Sequence, residues 1–332
     1  MSSILDWLLR LFRRRQPPTA PAPPPDNDTE PAQVTTSRVL VIVYDPTMDP
    51  ATGQKLSAQQ RWGRVEDLAA AFLSDIRKYS AGMARYQIIQ RIDVDEFPAK
   101  TDGFRYTAQS YMDVLRGSAP PHMPQEVDYL SILSRFRILE RVARGEIDEV
   151  WTFGFPHAGF YESIMAGPGA FWCNAPPLRG TDASRRRFVV MGFSYERGVG
   201  EMLESFGHRA ESILQRTYAR LSGDANLWNR FARYEATSPG RAAVGTIHFA
   251  PNSARDYDWG NESTVKSECY DWLVNFPSFK DDVRDVTASE WGGGEIRAHH
   301  QWWLDHLPRR PGRRNGILNN WWPYIIDPAN VK

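Results

Sequence analysis

Cysteine is almost missing from this sequence: Cys173 and Cys269 are the only two in 332 residues. That excludes a disulfide-stapled scaffold and a structural zinc site built from four thiolates, and it fits a reducing, cytoplasmic compartment. An excess of one charge is missing too, because 40 Lys and Arg balance 40 Asp and Glu. No global field draws the chain toward nucleic acid, so any charged partner is met locally. Nowhere is there an apolar run of the ~20 residues that a membrane-spanning helix needs. Internal repeats and heptads are also missing. What is present is a composition with 42% hydrophobic and 24% charged side chains, enough for a substantial core.

The opening stretch, MSSILDWLLRLFRRR, places Ile4, Leu5, Leu8, Leu9, Leu11 and Phe12 around most of a helix, with Asp6, Arg10 and Arg13 on the remaining side. Its arginines follow the apolar run, the reverse of a secretory signal. Residues 1–15 are therefore expected to be an amphipathic helix that lies on a membrane surface or docks to a partner protein. Residues 16–37 hold seven prolines and almost no large apolar side chain, which predicts an extended spacer. The folded body is expected over 38–332 as one α/β domain, with a core over 38–250 and a Trp-rich, loop-heavy extension over 251–332 packed on it.

RVLVIVYDP at 38–46 is a continuous apolar run, the pattern of a strand buried on both faces in a parallel sheet. Further strands are expected at 86–94, 147–155, 186–198 and 244–252, with helices near 64–79 and 128–146 between them. Alternating strands and helices predict a three-layer, mostly parallel sheet with helices on both faces.

Ligands of open α/β sheets bind outside the carboxyl ends of the strands. The loop FGFPHAGFYESIMAGPGAFWCN at 153–174 offers His157, Glu162 and Cys173 there, and its length and glycines suit a functional loop. The next junction leads into GEMLESFGHRAESI at 200–213. On a helical wheel Glu201, Glu204, His208 and Glu211 fall within an ~80° stripe opposite Val199, Met202, Leu203, Phe206, Ala210 and Ile213. Three carboxylates and one histidine on a face repel one another unless a cation sits among them. A His and a carboxylate four residues apart can share a metal, with a third ligand from another segment. The stretch is not HExxH, since Glu204 stands where the first histidine belongs. A solvated helix face is the plain alternative.

His248, near the end of the expected fifth strand, is the natural partner of His208. Beyond it, APNSARDYDWGN carries Asp256, Asp258, Trp259 and Asn261, and the extension holds seven of the 12 tryptophans. The residue types lead to a metal-dependent hydrolase. Its divalent ion, zinc being one choice, would rest on Glu204, His208 and His248. Glu201, Glu211 or His157 would act as acid or base. Asp256, Asp258, Trp259, Asn261, Trp302 and Trp321 would contact a small-molecule, glycan or peptide substrate. Two alternatives use the same residues: a non-catalytic glycan- or peptide-binding domain whose tryptophans stack on rings, and a metal-free glycosidase using paired carboxylates.

Overall fold

The computed structural model describes residues 26, 27 and 29–332, so the expected helix at 1–15 and most of the proline-rich spacer lie outside the described residues. The central sheet has five strands: β1 (Thr35–Tyr44), β2 (Ala84–Val94), β3 (Glu149–Gly154), β4 (Ser163–Ala166) and β5 (Phe188–Ser194), in the order β2-β1-β3-β5-β4. The first four across are parallel, and β4 closes the far edge antiparallel to β5. β1 and β3 are central, and Val39–Tyr44 and all of β3 are buried, as their apolar runs require. The strand order reverses between β1 and β3, which opens a crevice at their carboxyl ends.

Register sorts the side chains onto two faces. Val41 lies beside Trp151 and Val43 beside Phe153, which itself pairs with Phe193. Onto this face pack helices α1 (Val65–Tyr79) and α4 (Val199–Tyr218), with Phe72 and Phe206 meeting edge to face 6.0 Å apart. The other face is covered by α2 (Tyr129–Arg135), α3 (Ile138–Ala143) and the loop after β3, where Phe160 lies between Tyr44 and Tyr129. Gly154 and Gly192 admit this loop, because a Cβ at either would come within 2.9 Å of Phe160. The single helix expected over 128–146 is thus two, divided at Arg137, whose φ of 53° is left-handed.

α4 forms because its apolar residues recur at three and four positions. Met202, Leu203, Phe206, Ala210, Ile213 and Leu214 are all buried, and the larger ones each contribute roughly 1.5–3 kcal/mol of transfer free energy. Arg209 is not on the carboxylate side of this helix. It is fully buried toward the sheet, 2.6 Å from Glu149 of β3, and donates to the carbonyl of Ile326. A charge buried this way is tolerated only while its partner remains.

The fifth strand expected over 244–252 does not form, and the fifth strand of the sheet is β4, from inside the segment read as one long loop. Backbone donors explain the difference. The N–H groups of Val244 and Gly245 both go to the carbonyl of Phe231, and that of Ile247 goes to the Glu211 carboxylate. Gly245 at φ +87° starts a tight turn in which Thr246 and Phe249 bond each other. No ladder can run through such a segment. Val244, Ile247 and Ala250 are still buried, Ile247 against Gly207 of α4, where a Cβ would meet it at 2.4 Å.

The extension over 251–332 is more regular than its composition implies. It contains helix α5 (Ile296–His306), the hairpin β6 (Arg309–Arg314) and β7 (Ile317–Asn320), and α6 (Trp322–Ile326). Its tryptophans are mostly core. Trp272, Trp291, Trp303, Trp321 and Trp322 are among the largest fully buried side chains.

Candidate metal centre

α4 carries Glu204, His208 and Glu211 on successive turns, and the 245–257 loop folds over them. The stripe does not face bulk water: Glu204 is 4% exposed. From the loop, His248 places its Nε2 2.9 Å from His208 Nε2 and 3.0 Å from Glu204 Oε1, while His208 Nε2 and Glu204 Oε1 are 3.9 Å apart. Glu204, His208 and His248 thus form one cluster whose ligand atoms lie within 4.8 Å of one another.

Each outer nitrogen faces a carboxylate. His208 Nδ1 is 3.2 Å from Glu211 Oε2, and His248 Nδ1 is 2.9 Å from Asp256 Oδ1. A carboxylate only accepts, and His248 Nε2 faces one as well, Glu204 Oε1 at 3.0 Å; with a proton kept on each Nδ1, each Nε2 would have a lone pair to offer a metal. Glu204 Oε1 already accepts from Tyr257 Oη at 3.0 Å. Glu204, His208 and His248 thus bring three atoms able to give an electron pair to one point, a set that could hold a cation.

The electrostatics favour positive charge within the cluster. Burial, the largest single effect, works against the charged imidazoles. For His208 it is outweighed by Glu211, Glu162 and Glu204, and for His248 by Glu204 and Asp256 against His208, so both titrate above 6.5. Burial likewise opposes the Glu204 carboxylate, but the bonds from His248 and Tyr257 hold its pKa below 4.5. Nearby, the fully buried His300 has Nδ1 against the carbonyl of Ile296, and its Nε2 has no partner among the described residues. Glu204, His248 and His208 all act on that ring electrostatically, and burial keeps it neutral with a pKa of about 4.

One residue joins this cluster to open space. Glu162, in the loop after β3, has its Oε2 3.8 Å from His208 Nε2 and accepts from Asn174 Nδ2 at 2.6 Å. It also lines a cavity of about 330 Å³ at the carboxyl ends of β3 and β5, with His157, Arg197 and Glu201. It lies one strand over from the switch point between β1 and β3, and no residue of β1 lines it.

The remaining residues singled out from the sequence divide clearly. Glu201 caps its own helix, accepting from the Gly198 N–H at 3.0 Å, and is not in the cluster. Glu211 is fully used between His208 and the Ile247 N–H at 2.8 Å, so it orients a ring and is not free to act as a base. His157 lies on the cavity wall, its carbonyl bound by the buried Lys100, with its pKa lowered by burial and by that ammonium. Cys173 is buried and its thiol is pushed up to about 11 by burial, which disqualifies it as a nucleophile.

Of the six expected substrate contacts, Asp256 belongs to the cluster through His248. Asp258 and Asn261 bond each other at 2.8 Å and shape their own turn. Trp259 is 6% exposed and stacks on His299, and Trp321 is fully buried with its Nε1 on Tyr218 Oη. Trp302 packs between Trp291 and His306. An open platform of stacking rings does not form from these three, because the rings hold the extension together. Tyr257 escaped the sequence reading altogether, since a tyrosine between two aspartates carries no signal of where its hydroxyl points.

No protein-family model, curated protein or solved structure matches this chain, so a functional reading rests on the site's own chemistry.

Proposed function

We propose that Glu204, His208 and His248 hold a divalent cation, zinc by the nature of the donors, and that the chain is a metal-dependent hydrolase. Two neutral imidazoles and one carboxylate, with a position left open, is the donor set of catalytic zinc. Donors at about 2.0–2.2 Å from an ion in tetrahedral array lie roughly 3.3–3.6 Å apart, and the three separations of 2.9, 3.0 and 3.9 Å bracket that range. The observation that carries the reading is the pair of carboxylates behind the rings. Glu211 lies 3.2 Å from His208 Nδ1 and Asp256 2.9 Å from His248 Nδ1, the place from which a carboxylate raises the basicity of a metal-ligating imidazole.

In this reading the ion lowers the pKa of a bound water to about 7 and polarises a carbonyl or phosphoryl oxygen. Glu162 takes the water's proton as general base, in place of Glu201 and Glu211. Its support is its place at the cluster's edge on the cavity wall, 3.8 Å from His208 Nε2. Substrate enters through the cavity at the strand ends.

Metal content of the purified protein, followed by zinc titration in a calorimeter, tests the proposal. One equivalent bound by the wild type and none by His208→Ala or His248→Ala is expected. Equal binding by all three would end it.

A further inference from the structure

A second region of the molecule has unpaired charge and open space, far along α4 from the histidines. Its last turn, the hairpin β6–β7 and the segment leading into β1 enclose a groove of about 620 Å³, lined by Glu30, Val34, Arg216, Arg220, Arg313 and Lys332 among others. Glu30 is consumed by Arg313, which grips it through two guanidinium nitrogens. Arg216 and Arg220 form no ion pair with a carboxylate among the described residues, so they leave the groove with positive charge.

The charge continues past the rim. Phe171 lies between two guanidinium groups, with Arg187 at 5.6 Å and Arg216 at 5.8 Å from its ring centre. Arg187 and Arg216 repel each other across that ring, which together with burial lowers the pKa of Arg187. Such a pair gains from an anion placed beside both. The next residue in the chain, Trp172, is 59% exposed, an indole held in water. Most other tryptophans of the chain are buried, so this exposure is not a general property of its rings.

The chain that leads to residues 1–15 joins the body at this same rim. Asn27 bridges to Arg313, Asp26 accepts from the Asn315 N–H, and the Gly312 N–H donates to Glu30. Tryptophan beside arginine is the composition that favours a membrane–water interface. A short amphipathic helix alone is a weak anchor and needs a second attachment. Phosphodiester headgroups supply the anion that Arg216 and Arg220 lack.

We propose that this groove, together with the exposed Trp172 that follows Phe171 in the chain, is a docking surface for an anionic phospholipid membrane. The body itself contacts the headgroups, as a second anchor beside the N-terminal segment. The proposal is independent of the metal reading.

Co-sedimentation of the full chain with vesicles tests it, using phosphatidylcholine alone and phosphatidylcholine mixed with phosphatidylserine. The wild type is expected to pellet with the mixed vesicles, weakly with the neutral ones, and less as salt rises. Each basic residue near an anionic surface is worth roughly a five-fold gain, so Arg216→Gln with Arg220→Gln is expected to weaken binding by about 25-fold. Both residues are exposed, and an unchanged melting curve confirms the fold. That dependence on the two arginines is expected to survive deletion of residues 1–15. Equal pelleting of the double variant and the wild type would overturn the proposal. So would release of the protein from the vesicles by low-millimolar inorganic phosphate, which marks a small-anion site, or arginine-dependent binding to a short DNA duplex without binding to vesicles.

Discussion

His208 and His248 stand 40 positions apart in the chain and meet with their Nε2 atoms 2.9 Å apart, ring against ring at 75°. Each has a carboxylate behind it, so the approach of the two Nε2 atoms is built and not incidental. A proton or a metal ion must lie between them. The proposed ion has consequences that can be measured one residue at a time.

Substitutions behind the rings should weaken the ion without removing it. Glu211→Gln and Asp256→Asn each keep the shape but lose the charge that supports an imidazole, and losses of this kind cost roughly 10–100-fold in metal affinity. His248→Ala removes a ligand and should abolish stoichiometric binding. Calorimetric zinc titration of the three variants checks the order. Full affinity in Glu211→Gln would show that its contact with His208 is structural only.

Glu162→Gln should leave metal content unchanged and lower hydrolysis by roughly 10²–10⁴, the range for a lost general base. The measurement is paired: metal content, and turnover of whichever ester, amide or phosphoester the wild type cleaves in a broad chromogenic panel. Loss of metal together with activity would make Glu162 a ligand instead.

The metal-free protein should lose stability as pH rises. Both imidazoles have folded-state pKa values raised above the ordinary 6.5, so their contribution is fully present below 6.5 and is lost as pH climbs through the raised values. Zinc competes with those protons and acts in the opposite sense, stabilising more at pH 8 than at pH 6. Thermal melts of apo and zinc-loaded protein at the two pH values check both signs. A zinc-induced rise in Tm that is larger at pH 6 would contradict ligation by the two imidazoles.

Gly207→Ala should pull the centre apart from below. Its Cβ would stand 2.4 Å from Ile247, next to His248, and overpacking of this size costs about 1–3 kcal/mol. The loop must lift, carrying His248 away from His208, and zinc affinity should fall with stability. Ile247→Ala in the same chain should restore much of both. A double variant no better than Gly207→Ala would show that the contact does not seat the loop.

Much of this molecule was legible from period and composition. Four of the five expected strands and the helix at 65–79 follow apolar runs and repeats, because burying such residues leaves few ways to arrange them. The stripe of Glu204, His208 and Glu211 is likewise a property of α4 alone, set by 3.6 residues per turn. His248 was paired with His208 for the wrong local reason, since the strand that was to present it does not exist.

The sequence by itself determined the sheet, the helix and the chemistry printed on one face of that helix, all of which depend on neighbours within a few residues. Only the tertiary structure decided whether that face is wet, what covers it and which nitrogens point inward. Those outcomes rest on contacts between distant segments: Ile247 on Gly207, Asp256 behind His248, Tyr257 on Glu204 and Glu162 brought in from the far side of the sheet. The tryptophans make the same distinction. Their number foretold a large aromatic cluster, but burial against Phe231, Tyr218 and one another made it core, because removing a ring from water is favourable wherever other rings can receive it.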